Sequence, residues 1–479
     1  MMYETVDTFQ VACAMSISDA KIFIEKALMT RYPEYEQNFT KFLRYSSYKL
    51  KYTFRDRLPT GIQAINIYRH AKLSSTVYIV ITVNPEALCS GHKTNRLFRC
   101  TPDNVYALQI CYADAVYELC PEAFMPNSGD NDDSCQLETI HLDSSHNDSC
   151  TYPIGLASLP YLGLLIPKEA DYSLNLYAKN KKLALECLRN SYLDVRKKGS
   201  IKQKNVTVPE DEELDFISDT DTQPKNKNLN LYAKNTVSSD CIYDKQLKYD
   251  VSGCTDQALY NEADNIIRLE TARKKCTKAW IVKMANLRLR HNERPMGILP
   301  YLEPIVADTI LNTFLDKIGH QDWYSDDEAT KILEVAVRKG LIKQSFKKSG
   351  EERKNSPRLT IVQDILPIIS QSRSITMALK NYQTGNYTIA KTQKVVHGTA
   401  DTFRDYLKLI RSVGMQPYLI PDRRKEKHLE NPVKNIVLLG LDHTKLPNRI
   451  LNMPEVMAMI NRINAAHIRQ HKNYKANFN

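Results

Sequence analysis

The heptapeptide LNLYAKN occurs twice in this chain, at 174–180 and again at 229–235. Its polar–apolar alternation has the period of a β-strand, whose successive side chains point to opposite faces. In DYSLNLYAK (171–179) the alternation sets Asp171, Ser173, Asn175, Tyr177 and Lys179 on one face, with Tyr172, Leu174, Leu176 and Ala178 on the other. NLNLYAKN (228–235) groups Asn230, Tyr232 and Lys234 in the same way. NIIRLETARKK (265–275) sets Arg268 and Glu270 opposite Ile267 and Leu269. Strands of this kind require a sheet with one face on a core and one polar face lining a cleft. No longer stretch repeats around the two copies, so the pair reads as two strands of one sheet rather than a duplicated domain.

Other segments extend this pattern. VDTFQVACAMSI (6–17) and TVYIVITVNP (76–85) are rich in β-branched and aromatic residues, the second ending on an Asn-Pro turn. NVYALQICYADAVYELC (104–120) and KKLALECLRNSYLDVRKKG (181–199) have helical spacing, the second closing on a basic turn and Gly199. The fold class expected is α+β, with a mainly antiparallel sheet and helices over residues 1–295. Two acidic loops interrupt this region. Residues 121–150 hold seven acidic residues and no Lys or Arg, and 205–225 contains VPEDEELDFISDTDT. Neither stretch carries enough apolar surface to order itself firmly.

From 296 to 479 the signals are helical: YLEPIVADTILNTFLDKIG, then SDDEATKILEVAVRKGLI with Ser325/Asp326 as N-cap and Gly340 as stop. LTIVQDILPIISQSRSITMALKNY and ADTFRDYLKLIRSVG follow. A helix-turn-helix or a plain bundle satisfies this periodicity equally.

Charge divides the chain. Residues 271–479 hold 36 Lys+Arg and 19 Asp+Glu, a balance of +17, leaving 30 and 36 in residues 1–270, a balance of −6. Such asymmetry points to a polyanion partner for the basic half, with counterion release as the source of affinity. The eleven cysteines include no C-x-x-C pair, and most sit singly as small hydrophobes. Cys135, His141, His146 and Cys150 have ligand types but irregular spacing in an acidic stretch. No apolar run approaches a membrane span, and the N-terminus lacks the pattern of a signal peptide, so a cytoplasmic location is expected.

The polar strand faces carry residue types suited to phosphodiester chemistry. A tyrosine hydroxyl can open a phosphodiester and keep its bond energy as phosphotyrosine, given a cation or a metal to activate it. Asp171 and Glu270 offer oxygen ligands for Mg²⁺ or Mn²⁺, and Lys234 and Arg268 offer positive charge to phosphate.

The same stretches resemble the replication initiators of small rolling-circle plasmids and filamentous phages. The likeness runs through VDTFQV, YIVITVNPEALCSGHKTNRLF (78–98), EADYSLNLY (169–177), NLNLYAKN and IIRLETARKK, then GHQDWYSDDEA (319–329) and LKLIRSVGMQPYLIPDR (407–423). It implies a bacterial, cytoplasmic, metal-assisted endonuclease that nicks and rejoins DNA at a replicon origin. Tyr232 would be the nucleophile, Tyr177 the alternative, Lys234 and Arg268 the electrostatic helpers, and Asp171 and Glu270 the metal ligands. His92, in the SGHKT loop, would be an accessory group. Single-stranded or origin DNA would be the partner, with a host helicase and a second copy of the chain as further ones. Glu169-Ala170 stands where the family has Arg-Ile, and no His-hydrophobic-His triplet occurs. These departures keep open a second expectation, a catalytically inactive DNA-binding or replication-control protein of a mobile element.

Overall fold

The computed structural model describes residues 2–44, 51–69, 76–125, 139–142, 150–153, 155–192, 206–207, 231–234, 238–252, 254–273, 278–289, 294–343, 349–350, 357–372, 374–389, 394–420, 424–436, 438, 443 and 445–472; for Leu231–Lys234 the description is of the backbone. The strands described up to residue 273 are, in chain order, β1 (Thr5–Ser16), β2 (Lys51–Phe54), β3 (Ile62–Arg69), β4 (Thr76–Val83), β5 (Phe98–Arg99), β6 (Thr139–Leu142), β7 (Cys150–Pro153), β8 (Ile166–Tyr177), β9 (Val206–Thr207), β10 (Leu231–Lys234), β11 (Ser238–Asp244) and β12 (Ile266–Arg273). Ten of them form one antiparallel sheet in the order β2-β3-β4-β1-β8-β12-β11-β10-β9, with β5 beside β1. β6, in the first acidic segment, pairs separately with β7, which begins at that segment's last residue. The chain is α+β, with helices dominating the C-terminal part, as the alternation and helical spacing predict.

Alternation decides which way each strand packs. Phe9, Val11, Cys13 and Met15 of β1, Tyr172, Leu174 and Leu176 of β8, and Ile267 and Leu269 of β12 are all buried in the main core. Each such side chain contributes about 1.5–3 kcal/mol by leaving water. The helices Lys181–Ser191 and Pro304–Ile318 lie against the central strands. Lys317 of the latter forms an ion pair with Asp240 of β11, which also accepts hydrogen bonds from Tyr192 Oη at 2.7 Å and Thr271 Oγ1 at 2.6 Å. Buried residues on both sides of residue 296, from Val6 to Ile436, belong to one hydrophobic cluster.

Three C-terminal details differ from the expected pattern. Ser325 occupies the N-cap position of Asp326–Arg338, but its side chain makes no capping bond. The predicted long helix from Leu359 ends at Gln371, and a new one, Ile375–Thr384, begins after the Ser374 cap. Just before Pro367, whose ring cannot donate to the helix ladder, the backbone widens into a π turn at Ile361–Ile365. The helices Pro304–Ile318 and Asp326–Arg338 are separated by the strand Trp323–Tyr324, which pairs with His428–Leu429. Most of the basic stretch after them lies outside the described residues, as do Cys135 and His146.

Candidate active site on the polar sheet face

The register of β8, β12, β11 and β10 arranges the predicted site residues in rows across the sheet. Ser173 pairs with Glu270, Glu270 with Cys241, and Cys241 with Tyr232. One row along, Asp171 pairs with Ala272, Ala272 with Ser239, and Ser239 with Lys234. On the other side Asn175 pairs with Arg268 and Arg268 with Tyr243. At the usual strand spacing, Tyr232 is roughly 10 Å along the sheet from Glu270, measured between α-carbons.

Arg268 sits at the centre of this face and is 1% exposed. A guanidinium buried so deeply must be paired. Its Nη1 lies 2.9 Å from Asp7 Oδ2, its Nε donates to Asn175 Oδ1 at 2.9 Å, and its Nη2 donates to the Asn95 carbonyl at 2.7 Å. Asp7 reaches this face because β1 carries a bulge: Val6 pairs with Tyr172, but Thr8, not Asp7, opposes Asp171. Burial alone would raise the Asp7 carboxyl; Arg268, Lys245 and Lys248 hold it below its ordinary value.

The helix Lys245–Ser252 crosses this end of the face. Burial, and then the positive charge of Arg268, push Lys245 down to about 7 against the pull of Asp7. Lys248 Nζ donates to Tyr243 Oη at 3.1 Å, and Tyr243 Oη donates to Glu270 Oε2 at 2.8 Å. Tyr249 Oη donates to Asn95 Oδ1 at 2.6 Å, tying the helix to the loop that also clamps Arg268.

Asp171 stands one row from Glu270. Thr8 Oγ1 donates to its Oδ2 at 2.5 Å, while its Oδ1 is buried without a hydrogen bond. Desolvation first, then the charges of Glu270 and Glu169, raise its pKa well above the ordinary carboxyl range. The neighbouring Ser173 hydroxyl, fully buried, also makes no hydrogen bond. One carboxylate oxygen and one hydroxyl without partners, beside a second carboxylate, form an oxygen donor set suited to a hard cation.

The structure thus brings Asp171, Arg268 and Glu270 together on adjacent strands, and places Tyr232 and Lys234 in their rows two strands beyond β12. Tyr177, at the end of β8, is 40% exposed; burial and Glu262 raise its pKa, while Arg268 and Arg96 lower it. His92 is exposed and its Nδ1 lies 3.0 Å from the Ser90 carbonyl in its own loop. Asn95, three residues later, is the part of that loop that reaches Arg268. Asp7, Asn95, Tyr243, Lys245 and Lys248 escape a reading of alternation. A bulge, a loop and a helix deliver four of them, and Tyr243 becomes visible only once β11 is paired.

Away from the sheet, Glu303, His467 and His471 are placed so that three ligand atoms could hold a metal ion. No helix among the described residues is long and apolar enough to cross a membrane. Neither family models, curated proteins nor solved structures give a match to this chain.

Proposed function

We propose that this chain nicks and rejoins one DNA strand at a replicon origin, as rolling-circle initiators do, with Tyr232 as nucleophile. The observation that carries this reading is the register that sets Asp171, Glu270, Arg268, Lys234 and Tyr232 in adjacent rows of one antiparallel sheet. The unpartnered oxygens of Asp171 and Ser173, beside Glu270, fit Mg²⁺ or Mn²⁺, which bind through one or two carboxylates and complete their shell with water and phosphate oxygens. When bound, such an ion polarises the scissile phosphate.

In the reaction the Tyr232 oxygen forms a bond to phosphorus as the bond to the 3′-oxygen breaks, and rejoining reverses both. Lys234 supplies positive charge near the phosphate. The proton lost by the Tyr232 hydroxyl is balanced by the one gained by the departing 3′-oxygen, and rejoining returns it. Arg268 acts as a positioning residue: its donors are spent on Asp7, Asn175 and Asn95, so it organises the face rather than gripping DNA. The basic half binds origin or single-stranded DNA, a host helicase unwinds the nicked duplex, and the work is cytoplasmic in a bacterium.

The saturation of Arg268 by internal partners favours one other reading, an inactive DNA-binding or replication-control protein that keeps the polar face as a structural knot. A single experiment separates the two. The protein is incubated with Mn²⁺ and end-labelled single-stranded DNA from its own replicon, then run on a denaturing gel. A covalent adduct lost in Tyr232→Phe is the expected result. An adduct lost only in Tyr177→Phe moves the nucleophile to Tyr177. No adduct, with binding intact, leaves the inactive reading.

A further inference from the structure

The chain ends its described part in a cluster with no role in strand cleavage. His467 lies near the end of the helix Pro454–Arg469, and His471 follows it by four positions. The backbone after the helix is held in place by a bridge between Leu287 and His471 and by the Arg288 amide donating to the Gln470 carbonyl at 2.6 Å. Both imidazoles meet Glu303, which immediately precedes the helix Pro304–Ile318. Glu303 Oε1 is 3.1 Å from His467 Nε2 and 3.1 Å from His471 Nε2.

These three atoms converge without bonding well. Glu303 Oε1 is buried and makes no hydrogen bond of acceptable geometry, although two ring nitrogens stand within ion-pair distance. His467 Nδ1 is likewise buried without one. Glu303 occupies a helix N-cap position but does not cap the helix; its carboxylate is directed to the histidines instead. A buried oxygen with two nitrogens aimed past it is the arrangement expected of ligands around an ion.

We propose that Glu303, His467 and His471 bind one transition-metal dication of the zinc class. Two imidazoles and one carboxylate are a known donor set for zinc, with water in the remaining position. Ligands about 2.0–2.1 Å from a tetrahedral ion stand roughly 3.3 Å from one another, so the two 3.1 Å separations need little adjustment. Imidazole nitrogen selects against Mg²⁺, which prefers oxygen. The site is therefore chemically distinct from the oxygen-lined face at Asp171 and Glu270, and it stands whether or not the chain cleaves DNA.

Its effect is to tie the last helix to the start of Pro304–Ile318, which packs on β1, β8 and β12. The last helix also packs on Pro102–Leu119, with Val456 and Ile460 buried against Ile110 and Ala113 and with hydrogen bonds from Tyr106 Oη to Asn461 Oδ1 and from Gln109 Nε2 to Asn464 Oδ1, each 2.9 Å. A bound ion would add a second anchor to this docking, at the end of the helix away from these apolar contacts.

The test uses the full chain, freed of metal by a chelator and titrated with Zn²⁺ by calorimetry. The expected result is one Zn²⁺ equivalent that His471→Ala binds at least about tenfold more weakly, with Mg²⁺ producing no matching heat. Loading with Co²⁺ separates this site from the cysteines: a tetrahedral ligand-field spectrum without sulfur-to-cobalt charge transfer is expected. Wild-type protein that binds no more Zn²⁺ than His471→Ala overturns the proposal. Should that variant fail to fold, pulsed electron paramagnetic resonance of Cu²⁺-loaded wild type decides: two coupled imidazoles support the site, and one or none overturns it.

Discussion

Asp171 shows how much of the site depends on single atoms. The initiators that this sequence resembles carry an Arg two residues before the corresponding aspartate, whereas this chain has Glu169 there, a negative charge in place of a positive one. Desolvation, Glu270 and Glu169 together raise the Asp171 pKa above its ordinary value of 3.8. A raised folded-state pKa means that the folded chain holds a proton which the unfolded chain releases. Its stabilising contribution is full below the ordinary value and is lost as pH rises through the raised one. Asp171→Asn has no such titration, so wild type should lose stability relative to the variant as pH rises above about 4. Urea midpoints over a pH series measure this; parallel curves for the two proteins would disprove the assignment. The same substitution should cut Mn²⁺-dependent nicking by about 100-fold or more, the scale of losing one electrostatic contact to the transition state.

At the scale of elements, β8 exposes the logic of alternation through two adjacent residues. Leu174 is fully buried in the main core, and Leu174→Ala should cost about 2–5 kcal/mol through lost transfer energy and the cavity left behind. Ser173, next to it and equally buried, points to the polar face with an unpartnered hydroxyl. Ser173→Ala removes a desolvated group worth roughly 1–3 kcal/mol when unpaired, so stability should hold or rise. Denaturant unfolding of both variants checks the contrast, and a marked loss in Ser173→Ala would reveal a partner for that hydroxyl. The opposite faces of β8 and β12 were legible in the sequence because period-two alternation is a local property. Asp7 was not, since one extra residue in β1 changes which side chain faces the site without altering composition or period. Nor were Lys245, Lys248 and Asn95, which reach the face from a helix and a loop. Strand β3 shows the same local alternation: IQAINIYR places Ile65 and Ile67 in the core and Asn66 on the opposite face. Tyr232 and Tyr177 share one heptapeptide, and only pairing separates them. Tyr232 lies in the Glu270 row, while Tyr177 sits at the strand end, opposite Ile266.

For the whole molecule, sheet and helices share a core, yet charge remains divided at about the same place as the change in secondary structure. The Lys317–Asp240 ion pair and the hydrogen bond from Tyr172 Oη to the Tyr301 carbonyl, 2.8 Å long, join the two parts directly. On the proposed reading, a DNA strand held by the basic half would be presented to a sheet that is packed against that half. The acidic balance of residues 1–270 would repel a polyanion from surfaces away from that path. Affinity gained this way comes from released counterions, so it must fall with salt. If about five phosphates are neutralised, the logarithm of the binding constant for single-stranded DNA should fall against the logarithm of salt with a slope near ~−3.5, a loss of roughly 100-fold between about 50 and 200 mM. Fluorescence anisotropy with a labelled oligonucleotide measures the slope directly, and Tyr232→Phe should leave it unchanged because the hydroxyl adds no charge. A slope near zero would remove nucleic acid as the partner of the basic half, and with it both the nicking and the inactive DNA-binding readings.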